Sequence, residues 1–246
     1  MVFIFVYILF LFAAVIEFDT NIEMHKQKTK DEMTIMQAKL ENIIGTRIIS
    51  LKGIQPYIEI NSNFDQKSFE LFAKNIYESK DGLVKDLSFM TDSTITHIYP
   101  YEEYKQLIGV NLAEIEEQND WVLYGMNNYK NILTGPVDLI EGGRGIIIRV
   151  PISLEGQYYG QLSIIFDYDK TFELAGFNKV SKDNFIKLSS FNYLKDEALI
   201  VWANTQEDLV DNITKGIGFH GLDLKLEVLP KTGWKGYSTN FLLIMG

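Results

Sequence analysis

Three histidines, one acidic run, one glycine cluster and one arginine mark where this 246-residue chain could do chemistry. His25, His97 and His220 are far apart in sequence, and none has a second ligand at metal-binding spacing. A lone His is more often structural or exposed than a ligand. Glu114, Glu116, Glu117 and Asp120 crowd one predicted helix. With no second acid embedded in apolar sequence nearby, they read as a solvated face rather than an acid/base pair. The chain has no Cys, which excludes thiolate nucleophiles, thiolate metal sites and disulfides. The patterns G-x-S-x-G, H-E-x-x-H and G-x-x-x-x-G-K-[ST] do not occur. The chain as given therefore reads as a non-enzyme, with no cofactor or metal implied.

The glycine cluster lies in ILTGPVDLIEGGRGIIIRVPI, residues 132–152. A phosphate-binding glycine loop follows a strand and opens a helix, because the helix N-terminus supplies the N–H donors. Here the loop is followed by IIIRVPI, β-branched and Pro-containing, which is a strand. The glycines therefore turn a hairpin, and the hairpin walls a pocket. Within that second strand stands Arg149, one of only three arginines. Strand alternation leaves its face open. Pointing inward, a bidentate donor in a pocket favours a carboxylate; pointing outward, it is a solvated residue. Arg144, at the loop tip, is expected in solvent. Tyr99, Tyr101 and Trp121 could supply aromatic walls or could equally pack the core.

The elements that must position these residues follow from periodicity. Residues 20–51 lack Pro and, before Gly45, lack Gly. Met33, Met36, Leu40, Ile44, Ile48 and Leu51 recur there at spacings of three and four, a narrow helical stripe. The stripe could pair with a second copy or pack on its own domain, and Gly53 and Pro56 are expected to end the helix. In NFDQKSFELFAKNIYESKDG, Asp65 can cap a second helix whose core face is Phe69, Phe72, Ala73 and Ile76. A hairpin hinged at Thr91-Asp92-Ser93, a helix over AEIEEQNDWVLYGMNNYKN, the glycine hairpin, the strand QYYGQLSIIFDY and a short helix around Thr171 complete a first module. That order suits a PAS-like α+β unit with a pocket between sheet and helices. NFIKLSS, EALIVWA and LDLKLEVLP then predict a second, smaller antiparallel sheet with no deep pocket of its own.

The ends bear on location. The opening MVFIFVYILFLFAAVIEF carries no charge before Glu17, and its core would span only ~22 Å as a helix. It reads as a transmembrane helix whose start is missing or misassigned, with a signal-peptide core as the competing reading. FLLIM near Gly246 is expected to begin a second, truncated span. A net charge of −10 gives the chain no electrostatic reason to seek nucleic acid. The expected layout is a transmembrane helix at residues 1–18, a stalk helix at 19–54, a membrane-distal ligand-binding module at 55–177, a membrane-proximal module at 178–236, and the start of a second span at 237–246. The fold class is α+β: a long N-terminal helix carrying two tandem PAS-like antiparallel-sheet modules.

IYP at residues 98–100, IGVNL at 108–112, ILTGPVDLIEGGRG at 132–145, RVPI at 149–152 and the strand containing Gly160 together resemble the CHASE domain. ELAGF at 173–177 and LPKTGW at 229–234 resemble the tail that follows it in bacterial members. The resemblance covers nearly everything between the two apolar ends. It implies an extracytoplasmic sensor of a two-span membrane receptor, usually dimeric, with ligand in the membrane-distal module. The implied cytoplasmic output is a histidine kinase or a diguanylate cyclase. In the family's cytokinin receptors, an Asp matching Asn111 holds the adenine ring and the backbone of a Leu matching Leu133 adds hydrogen bonds. Asn111 lacks that charge, so the resemblance implies a small molecule other than cytokinin. The candidate ligand-binding residues are Asn111, Leu133, Thr134, Arg149, Tyr99, Tyr101 and Trp121. A homodimer through the stalk helix is expected. A tandem sensor of a chemoreceptor and a membrane-tethered interaction module without output are the alternatives.

Overall fold

The computed structural model describes residues 2–60, 64–78, 82–139, 143–192 and 197–234. The apolar start and the stalk form one unbroken helix, α1 (Val2–Lys52). Among the described residues α1 alone is long and apolar enough to cross a membrane, with a stretch of mean hydropathy 1.8 near its N-terminus. Ile4, Phe5, Phe12 and Val15 stand exposed there. The second apolar segment, residues 237–246, lies outside the described residues. Gly53 ends α1, its N–H reaching back to the Ile49 and Ser50 carbonyls. Pro56 breaks nothing further: it sits in the first turn of α2 (Ile54–Ile60), where no intrahelical N–H is needed.

Met33, Met36, Leu40, Ile44, Ile48 and Leu51 are all buried. They pack on the chain's own sheets and on the helix that joins them, so the stripe serves the domain that carries it. On the opposite side of α1, Ile35 and Ile49 are exposed.

The first module opens with α3 (Gln66–Tyr77), whose N-cap Asp65 accepts a hydrogen bond from the Ser68 N–H at 2.9 Å. There follow β1 (Val84–Thr91), β2 (Thr94–Tyr99), α4 (Tyr101–Tyr104), α5 (Glu116–Asn128), β3 (Ile132–Asp138), β4 (Arg144–Leu154) and β5 (Gln157–Asp167). They form a five-stranded antiparallel sheet in the order β2-β1-β5-β4-β3. The strands on either side of the glycine cluster pair as a hairpin, with Asp138 opposite Arg144. Arg144 is exposed, bonded to Asp169 at 2.7 Å. Next, α6 (Tyr168–Ala175) and α7 (Phe177–Val180) lead into the second sheet.

That sheet has four strands, β6 (Asn184–Asn192), β7 (Glu197–Ala203), β8 (Ile213–Phe219) and β9 (Leu222–Pro230), in the order β7-β6-β9-β8. The sequence reading missed β8. ITKGIGF carries two glycines that dilute a strand signal, and its connection to β9 is the two-residue turn His220-Gly221. Both turn residues have positive φ (47° and 78°), the twist a tight hairpin needs. Between the sheets Phe177 packs edge-to-face against Phe172 and Trp202, with ring centroids 4.9 and 5.1 Å away. One hydrophobic cluster runs from α3 through both sheets along α1.

Three outcomes follow for stability. Ile48→Ala, which empties a fully buried site on the stripe, is expected to cost about 2–5 kcal/mol in urea unfolding. Ile49→Ala, on the exposed side, is expected within about 0.5 kcal/mol of wild type, and a cost equal to that of Ile48→Ala would contradict this packing. His97 sits among the rings of Phe64, Phe69 and Phe89, and burial lowers its pKa below the usual imidazole value. The unfolded chain then binds the proton more readily, so stability falls as pH drops below the unfolded value of about 6.5. His97→Phe is expected to flatten that acid limb of a melting-temperature profile.

Candidate ligand-binding site

Polar residues on the first sheet fall at alternate positions of neighbouring strands. The register sets Asp86 beside Ile165, Ser88 beside Ser163, and Ser163 beside Arg149. Paired residues share a face, so Asp86, Ser88, Ser163 and Arg149 point together, away from α1. The intervening Leu87, Phe89, Ile148, Val150, Leu162 and Ile164 face the core cluster. Over the polar face lies a cavity of about 250 Å³. Tyr104 of α4, Leu107, Val110 and Leu112 of the following loop, and Ile115 and Gln118 at the start of α5 roof it. Its volume is below the ~300 Å³ at which drug-sized sites begin, which suits a small metabolite.

Arg149 is the most buried polar residue lining the cavity, 1% exposed. Its Nη1 donates to Thr134 Oγ1 at 3.2 Å and its Nη2 donates to Gln118 Oε1. Its Nε has no partner. Burial pulls its pKa down to about 10, with the Asp86 carboxylate pulling the other way. At neutral pH the guanidinium is therefore charged and buried, with one of its three nitrogens lacking a partner. Ser163 Oγ, on the adjoining strand, is also buried and unpartnered.

The sequence candidates fall in several places. Arg149 faces the cavity, and Thr134 holds it from β3. Thr134 and Trp121 line an outer cleft of about 560 Å³, with Leu199 of the second sheet on its far side. Leu133 points to the opposite face of β3, into the core, and its backbone belongs to the ladder opposite Ile148. Tyr99 packs edge-on against Tyr77 at 5.2 Å, and Tyr101 opens α4; neither lines the cavity. Asn111 is satisfied locally: its Oδ1 accepts from Ser93 Oγ at 2.7 Å and from the Ala113 N–H at 3.1 Å, and its Nδ2 donates to Glu114 at 2.8 Å. It shapes the loop whose neighbours Val110 and Leu112 roof the cavity. The acidic run Glu114, Glu116, Glu117 and Asp120 is exposed.

Asp86, Ser88, Gln118 and Ser163 escaped the sequence reading. The signal for three of them was present: KDLSF and QLSII each place polar residues at every second position of an apolar strand. Gln118 had none, since a Gln in an acidic helix start reads as surface.

No family model matches the chain, and no curated protein does. Solved structures do. The ligand-binding domain of the Pseudomonas aeruginosa amino acid chemoreceptor PctB, in complex with L-Arg, is similar with a TM-score of 0.58 and 13% identity, over 85% of this chain and 97% of that one. The sensory domain of the Campylobacter jejuni chemoreceptor Tlp3 with isoleucine bound gives 0.55 and 12% identity, over 88% and 97%. The extracellular domain of the putative histidine kinase rpHK1S-Z16 gives 0.54 and 11%, over 83% and 95%. The fold is that of extracellular sensory domains.

Gln118→Leu strands a buried guanidinium without its acceptor and is expected to destabilise the fold by about 1.5–3 kcal/mol. Adding Arg149→Met to the same chain is expected to restore most of that loss in urea unfolding, since the two residues act as one unit. Additive losses would contradict the pairing.

Proposed function

We propose that this chain is the extracytoplasmic sensor of a transmembrane signalling receptor, binding a small carboxylate-bearing metabolite, an amino acid above all, in the cavity of the first module. The observation that carries the reading is Arg149, charged and buried with its Nε unpartnered, at the wall of a partly open cavity. An enclosed guanidinium is stabilised most by an anion, and its planar fork matches a carboxylate. Asp86 lines the same cavity, so the α-carboxylate of such a ligand meets a cation and its α-ammonium an anion, the complement of a zwitterionic head. Several similar solved domains come from amino acid chemoreceptors and from putative histidine kinases.

On this reading α1 enters the membrane through its apolar start, and ligand occupancy is passed inward along it. The receptor is of CHASE type, its output a histidine kinase or diguanylate cyclase beyond this chain. Output through a chemoreceptor signalling domain is the second reading, favoured by the chemoreceptor domains among the similar structures. Two copies would meet on the exposed side of α1, at Ile35 and Ile49.

Thermal melting of the whole chain in detergent, against amino acids, small carboxylates and purines, tests the ligand class. A ligand at 100 times its Kd stabilises by about 2.7 kcal/mol, which for a chain of this size raises Tm by roughly 5–10 °C. Arg149→Met is expected to abolish the shift. Because burial lowers the Arg149 pKa only to about 10, affinity is expected to stay flat from about pH 6 to 8 and to fall above that as the ligand's ammonium loses its proton. A shift that survives Arg149→Met would overturn this site.

A further inference from the structure

The polar face does not stop at Ser163. Gln161 is the next residue on that face of β5, opposite Pro151 and Met90. It is fully buried, and both its Oε1 and its Nε2 lack a hydrogen-bond partner. Of the six such atoms among the described residues, four belong to Arg149, Ser163 and Gln161, neighbours on one face of two adjacent strands. A buried amide with neither end satisfied is costly, and an apolar side chain of similar shape would be more stable there. Above it, α5 presents Gly125. A Cβ at that position would stand 2.8 Å from Gln161 Oε1, so the amide fits under the helix only because residue 125 has no side chain. Glycine in a helix interior is itself destabilising.

We propose that Gln161, with Ser163 leading to it from the cavity, is the specificity-determining residue of this site and selects an amino acid ending in a carboxamide. The inference rests on the ligand class proposed above. The carboxylate of such a ligand meets Arg149, and its side chain runs along β5, past Ser163, beneath α5. A primary amide donates and accepts, and so does Gln161. The two can exchange a pair of hydrogen bonds that neither an aliphatic chain nor a carboxylate of the same length can match. Gln161 does not line the cavity, so a ligand that reaches it lifts α5 at Gly125.

The test is calorimetric titration of the whole chain in detergent with L-glutamine, L-leucine and L-alanine. Wild type is expected to bind L-glutamine at least about tenfold more tightly than L-leucine, the equivalent of one or two buried hydrogen bonds. Gln161→Leu is expected to reverse that order while raising the ligand-free Tm. A residue kept only for structure would lower Tm when replaced and leave the ratio unchanged. Gly125→Ala, which crowds the amide, is expected to weaken L-glutamine and leave L-alanine as it was. If wild type binds these amino acids through Arg149 but the glutamine-to-leucine ratio is the same in Gln161→Leu, the subsite is wrong and the sensor reading stands. If none of the three binds, the ligand class falls and the subsite with it.

Discussion

A guanidinium shut away from water must be met by acceptors, and that requirement shapes the first module. Arg149 stands in the middle of a strand rich in Ile and Val, where a charge has no solvent to fall back on. Thr134 answers it from β3 and Gln118 from α5. The second of these bonds ties α5 to the sheet and closes the roof over Asp86, Ser88 and Ser163. Remove the cation and the polar face has no focus. Remove Gln118 and the cation has too few partners. The cavity is thus a by-product of satisfying one buried charge from several elements at once.

The other face of that sheet obeys ordinary hydrophobic burial. Its apolar residues join the stripe of α1, and the same stripe continues down to β8 and β9. One helix therefore stabilises two sheets that meet directly at β3 and β7, while Phe172 of α6 and Phe177 of α7 pack against Trp202 of β7. Burial along α1 is what sets the two modules in register.

Much of this was legible in the sequence where one period dominated. The stripe at 33–51, the capped helix after Asp65 and the hairpin around the glycine cluster all carry unambiguous local signals. β8 was not legible, because its glycines blur alternation and His-Gly is a weak turn signal. The site was half legible. Arg149 announced itself as a charge in an apolar strand, yet which face it took depended on register with β3 and β5, which no local pattern fixes. Asn111 misled for the same reason: its motif neighbours line the cavity, while its own side chain is engaged with Ser93, Ala113 and Glu114. A motif marks a segment, and folding decides which of its side chains turn inward.

The continuity of α1 has a mechanical side. Its 51 residues contain no proline and a single glycine, Gly45, which lies against the His220 ring. Sharp kinks need proline, Gly/Ser pairs or a broken ladder, and here none interrupts the run from the apolar start to the underside of the five-stranded sheet. Such a rod is stiff in torsion. A rotation of the five-stranded sheet about the rod's axis is carried towards Phe5 and Phe12, with no proline joint along the way to absorb it.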